Sequence, residues 1–182
     1  MKAIILAGGL GTRLREETEF RPKPLVEVGG RPIIWHIMKV LAHQGVTDFI
    51  VCTGYKGEVI RRYFHDFQAL NYDFTVKLGE PESKIYYHSR DETNWRVTVV
   101  DTGPSTLTGG RLLGIRDFID KDESFVITYG DGLADIDLGK PLGRHQELQA
   151  LLTISVAAPK SRFGLVEVSE HGRVDRFLEK PP

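Results

Sequence analysis

The sequence predicts an α/β fold in which a mostly parallel, twisted sheet carries helices on both faces. Two observations predict it: apolar runs of four to seven residues recur along the chain, and segments of helical period alternate with them. The first run, residues 3–7 (AIILA), is continuously apolar and rich in β-formers, as a parallel strand covered on both faces requires. Residues 32–44 place Ile33, Ile34, Ile37, Val40 and Leu41 on one stripe and predict a helix, with Pro32 suited to its first turn and Gly45 to its stop. Residues 49–53 form the second expected strand, 57–64 a short helix, and 96–101 (RVTVVD) a strand ending at Thr102-Gly103. Residues 110–119 read as a helix, and 124–128 as a strand running into Gly130-Asp131-Gly132. Residues 138–149 read as a further helix and 151–156 as a further strand. Right-handed crossovers join strands in such an alternation. Two places break it. Residues 79–94 are polar around a strand-like core at 85–88 and read as a hairpin or flap on the sheet's edge. Residues 165–168 and 174–178 read as short strands, after which the sequence reaches Glu179-Lys180-Pro181-Pro182 without a closing element.

Composition narrows the partners. The 182 residues carry 24 Lys and Arg against 25 Asp and Glu, a formal net charge of −1, which gives no electrostatic case for a nucleic-acid partner. With 41% hydrophobic and 27% charged residues the chain has the composition of one globular domain spanning 1–182. No apolar run approaches the roughly 20 residues of a bilayer span, and residues 3–7 are too few for a signal-peptide core. The expectation is therefore a soluble, cytoplasmic chain without a membrane partner. The single cysteine, Cys52, cannot close an intrachain disulfide and lies in an apolar run, where it reads as a small buried hydrophobe. The six histidines show no zinc-ligand spacing and no nucleophile-plus-base set.

Four segments can carry chemistry. The loop Leu6-Ala7-Gly8-Gly9-Leu10-Gly11-Thr12-Arg13 follows the first strand, and its glycines let the backbone approach a phosphate while N–H groups and Arg13 donate. A tight turn without a ligand is the alternative. The spacing lacks the Lys-Ser/Thr of a P-loop and the G-x-G-x-x-G of a dinucleotide fold. Lys23 stands between Pro22 and Pro24, whose fixed φ angles make it a positioned charge, or else a solvated lysine on a rigid turn. Asp131, flanked by Gly130 and Gly132, ends a predicted strand where open α/β sheets bind ligands, and suits Mg²⁺ held together with phosphate oxygens; a plain Asp-Gly turn is the other reading. Thr108-Gly109-Gly110-Arg111 resembles a second phosphate or base loop opening a helix, with Arg111 offering a fork of donors.

The order of these segments is more specific than any one of them. G-G-x-G-T-R-L near residue 10, P-K-P at 22–24, G-D-G after a mid-chain strand and E-K-P at 179–181 together resemble the sugar-phosphate nucleotidylyltransferases. In most of that family the first motif continues R-L-x-P-x-T, whereas here it reads R-L-R-E-E-T. With R-P-K-P-L-V-E-V-G-G, W-H-I-M-K, V-D-T-G, T-G-G-R-L and Y-G-D-G-L-A-D, this variant resembles the glucose-1-phosphate cytidylyltransferase branch across essentially the whole chain.

The resemblance implies a Rossmann-like nucleotidyltransferase domain that joins CTP and glucose 1-phosphate into CDP-glucose and pyrophosphate with Mg²⁺, working as a homo-oligomer. It implies that Leu6, Ala7, Gly8, Gly9 and Gly11 hold the nucleotide, with Thr12 and Arg13 on the triphosphate. Lys23 would neutralise the α-phosphoryl group and leaving pyrophosphate, Arg111 and Thr106 would meet the cytosine and ribose side, and Gly130 would line the nucleotide site. Asp131 would hold the metal and Lys180 would reach the sugar phosphate. Arg13, Lys23 and Asp131 are the expected catalytic set. Members of the family continue well past E-K-P, so the resemblance also implies a chain cut short at its C-terminus, lacking further sugar contacts and a second acidic metal ligand. The competing readings are the same reaction with UTP, dTTP or GTP and another sugar phosphate, and a catalytically silent nucleotide-binding regulatory subunit. Retention of Arg13, Lys23 and Asp131 speaks against the second.

Overall fold

The computed structural model describes residues 1–9, 21–79, 84–88, 94–119, 124–156 and 165–178. These fall into two compact units, Met1–Ile136 and Asp137–Pro182.

In the first unit four strands form one parallel sheet. They are β1 (Lys2–Ala7), β4 (Asp48–Thr53), β7 (Arg96–Asp101) and β8 (Val126–Tyr129), side by side in the order β7-β4-β1-β8. The two interior strands are the two with continuous apolar runs. Ala3, Ile4 and Ile5 of β1 and Phe49, Val51 and Cys52 of β4 are fully buried, so both faces of the sheet are covered there. On one face Ile4, Leu6, Ile50 and Cys52 pack with Ile115, against which Val100, Leu112 and Ile119 also lie. On the other, Trp95 meets Phe49 of β4 edge-on and Trp35 of the helix α1 (Ile33–His43) at a tilt.

Helix α1 buries Ile34, Ile37, Met38 and Leu41. Its stripe is therefore centred on Met38, with Ile33 and Val40 at the margins. It stops as Gly45 predicts: Gly45 takes φ +87, its N–H donates to the Ala42 carbonyl, and the Val46 N–H reaches back to the Leu41 carbonyl. Burial pushes the Cys52 thiol up to about 11, with the nearby Arg111 charge acting in the opposite direction. Cys52 is thus a core residue and not a nucleophile.

The remaining elements of this unit are short. A 3-10 turn spans Lys23–Leu25, a two-residue hairpin pairs β2 (Glu27–Val28) with β3 (Arg31–Pro32), and α2 (Gly57–His65) and α3 (Phe67–Asn71) follow β4. Of the segment 79–94, residues 80–83 and 89–93 lie outside the described residues; its strand-like core is β6 (Ile85–His88), which pairs antiparallel with the upstream β5 (Asp73–Val76) in a sheet separate from the main one. The helix expected at 110–119 is divided. Helix α4 (Thr108–Gly114) stops after Gly114, Ile115 turns into the core, and a 3-10 turn (Arg116–Phe118) continues.

The second unit contains helix α5 (Gly139–Glu147) and an antiparallel pair, β9 (Leu165–Val168) with β10 (Val174–Leu178), bulged between Val174 and Arg176. The strand expected at 151–156 does not form; these residues are irregular and exposed. A run of β-formers becomes a strand only where a neighbour accepts its ladder, and among the described residues none lies beside this one.

Candidate active site

The order β7-β4-β1-β8 means that the chain builds outward from β1 in one direction and then crosses to its other side. The strand order reverses between β1 and β8. In open α/β sheets the crevice beyond the carboxyl ends of strands at such a reversal is where ligands bind. A cleft of about 230 Å³ opens there, bounded by Leu6 to Gly9 at the end of β1, Tyr129 and Asp131 at the end of β8, Lys23 and Pro24, and Thr106, Leu107, Thr108 and Arg111.

Lys23 is placed by its prolines. Pro22 and Pro24 are buried on either side of the half-buried lysine, and the turn is closed by the Leu25 N–H on the Pro22 carbonyl at 2.8 Å. Pro24 packs against Gly130, where an added Cβ would lie 3.0 Å from Pro24 Cγ and 3.4 Å from Ala7 Cβ. The Gly130 N–H donates to the Leu6 carbonyl at 2.9 Å and extends the β1–β8 ladder by one rung. This close approach brings the lysine to the end of β8, and Lys23 Nζ meets Asp131 Oδ2 at 2.6 Å. The two groups that the sequence places 108 residues apart therefore face each other across the cleft mouth. A cation paired with a carboxylate at this point can exchange its partner for a phosphate while the carboxylate takes a metal.

Arg111 is placed differently from a free fork aimed at a base. It is 6% exposed, and its guanidinium donates from Nη1 to the Thr53 carbonyl (2.9 Å) and Thr102 Oγ1 (2.6 Å) and from Nη2 to the Gly8 carbonyl (2.9 Å). A Cβ at Gly8 would overlap this guanidinium, and one at Gly54 would come within 2.6 Å of the Gly103 carbonyl. Gly8 and Gly54 are thus the space Arg111 occupies. Thr106 lines the same wall, its side chain against Gly103 and Gly110.

Of the residues expected from sequence, Leu6, Ala7, Gly8, Gly9, Lys23, Thr106, Gly130, Arg111 and Asp131 come together around this cleft. Gly11, Thr12, Arg13 and Lys180 lie outside the described residues. Sequence reasoning missed Thr53, Gly54 and Thr102, although Thr102 follows a predicted parallel strand directly, the position that signals a site in this architecture. Among the described residues no three His, Cys, Asp or Glu side chains gather as a metal cage, and no helix is long and apolar enough to cross a membrane.

Parallel strands in this order with a cleft at the reversal define an open α/β sheet with a ligand crevice, and comparison with known proteins gives the class. A family model described as nucleotidyl transferase matches residues 2–182, and the chain belongs to that family. It is 47% identical over 181 residues to glucose-1-phosphate cytidylyltransferase of Salmonella typhi, covering all of this chain and 69% of the relative. It is 44% identical to a probable glucose-1-phosphate cytidylyltransferase of Bacillus subtilis, with 99% and 69% covered. The crystal structure of HddC from Yersinia pseudotuberculosis complexed with GMP-PN shares the fold, with a TM-score of 0.56, 22% identity, and 100% and 70% of the two chains covered.

Proposed function

We propose that this chain transfers the cytidylyl group of CTP to α-D-glucose 1-phosphate, releasing pyrophosphate and CDP-glucose. The observation that carries the chemistry is the Lys23–Asp131 pair at the mouth of the switch-point cleft. The 47% identity with the Salmonella typhi enzyme supports the choice of base and sugar.

The reaction needs no covalent enzyme intermediate. A phosphate oxygen of glucose 1-phosphate attacks the α-phosphorus in line, a new P–O bond forms, and the bond from the α-phosphorus to the oxygen bridging to the β-phosphorus breaks, with that oxygen leaving on pyrophosphate. The protein's work is positioning and charge neutralisation. The backbone of Leu6 to Gly9 and Gly11 would hold the nucleotide, Thr12 and Arg13 would bind its triphosphate, and Thr106 would border its ribose side. Lys23 would release Asp131 and turn its ammonium to the α-phosphoryl group, and Lys180 would orient the sugar phosphate. Arg111 serves the base side through the loop it holds.

The donor set fits Mg²⁺. One carboxylate, already at the cleft mouth and flanked by Gly132 with open space around it, suits a cation that keeps phosphate and water ligands and not one that needs an all-protein cage. Held by Asp131, Mg²⁺ would supply Lewis-acid polarisation of the phosphoryl oxygens. A homo-oligomer in the cytoplasm belongs to the same reading and is supported by the resemblance.

Phosphorus NMR of the full-length protein with CTP, glucose 1-phosphate and Mg²⁺ tests the transfer. CDP-glucose and pyrophosphate are expected in equal amounts. Inorganic phosphate as the product, or resonances that do not change, would contradict it.

A further inference from the structure

Thr102 takes part in none of the roles above, yet it belongs to the polar group that holds Arg111. Its hydroxyl donates to the Thr53 carbonyl at 2.7 Å and accepts from Arg111 Nη1 at 2.6 Å, and its N–H donates to the same Thr53 carbonyl at 3.0 Å. One hydroxyl thus ties the end of β7 to the end of β4 and, together with the Thr53 carbonyl, holds Arg111 Nη1 while Nη2 reaches the Gly8 carbonyl.

That last contact has a consequence for the cleft. A trans peptide is planar, with its carbonyl and N–H on opposite sides, and among the described residues no peptide bond is cis. The Gly8 carbonyl accepts from the buried guanidinium, so the Gly9 N–H of the same peptide points away from that guanidinium, and Gly9 lines the cleft. Both flanking residues are glycine, and glycine crosses between φ regions at little cost. Left to itself, the 8–9 peptide could flip and present its carbonyl to an incoming phosphate. We propose that Thr102 is a positioning residue: through Arg111 it locks the Gly8–Gly9 peptide with its N–H turned to the nucleotide.

This rests on the proposed nucleotide site, and the test separates the two. Thr102→Val keeps the shape and removes the hydroxyl, while Thr102→Ser keeps the hydroxyl. In the full-length protein Thr102→Val should raise KM and the calorimetric Kd for CTP·Mg about tenfold with kcat changed less than threefold, and Thr102→Ser should restore both. A purely structural threonine would lower the melting temperature and the active fraction without this KM-against-kcat split. Wild-type KM and Kd in Thr102→Val would overturn the proposal. If the unaltered protein turned over no nucleotide, the functional reading would fall. The crystal structure of Thr102→Val would then decide the clamp alone: a Gly8 carbonyl turned from Arg111 supports it, and an unmoved one refutes it.

Discussion

Replacing Asp131 by asparagine is expected to lower turnover about 10²-fold or more while the protein stays folded. The substitution keeps the size of the side chain and removes the charge that would hold Mg²⁺, whose contribution to phosphoryl chemistry is several kcal/mol, and each 1.4 kcal/mol or so is tenfold in rate. Stability should hardly change. Asp131 is 37% exposed and its partner Lys23 26%, and an ion pair so open to solvent contributes at most about 1 kcal/mol. The concentration of Mg²⁺ that half-saturates residual activity should rise. Turnover equal to wild type at saturating Mg²⁺ would remove Asp131 from the metal site.

Lys23→Met should cost turnover on the order of 10²-fold, the usual effect of deleting one donor aimed at charge that develops in the transition state. Its signature differs from that of Asp131→Asn. With the ammonium gone, Asp131 loses the cation 2.6 Å away that competes for its carboxylate, so Mg²⁺ should bind at least as tightly while kcat falls. Steady-state kinetics over a Mg²⁺ titration would distinguish the two variants. A Lys23→Met protein that unfolds, with normal activity in its folded fraction, would make this lysine structural. The buried Pro22 and Pro24, which anchor the turn without it, predict otherwise.

The parts of the fold that could be read from sequence are those in which burial dictates the residue pattern. β1 and β4 lie inside a parallel sheet and are covered on both faces, so their runs are continuously apolar; α1 declares itself through its stripe and its Gly45 stop. Where burial does not dictate, the pattern is silent. All four residues of β5 are exposed, and its apolar residues, Phe74 and Val76, are only two, too short a run to mark a strand. Helix α4 begins through Gly109 and Gly110, poor helix formers that place its expected start two residues late. Residues 151–156 show the converse, a strand-like composition without a partner strand.

The site divides the same way. Lys23 between prolines and Asp131 between glycines carry their local geometry in their neighbours. Arg111 does not: its acceptors come from the ends of three different strands, and a register between strands is invisible in a T-G-G-R string. The same holds for Thr102, whose role exists only once β4 and β7 are aligned as Thr53 opposite Asp101.

The central claim is cytidylyl transfer, and the most direct measurement is kcat/KM for CTP, UTP, dTTP, ATP and GTP with glucose 1-phosphate on the full-length protein. Cytosine differs from uracil by an exocyclic donor in place of an acceptor, and a site that pairs the right one rejects the other by leaving buried polar groups unpaired. CTP is expected to give the highest kcat/KM, with UTP the nearest rival. A preference for dTTP or GTP of about tenfold or more would contradict the assignment to CTP, while leaving nucleotidyl transfer at this cleft in place.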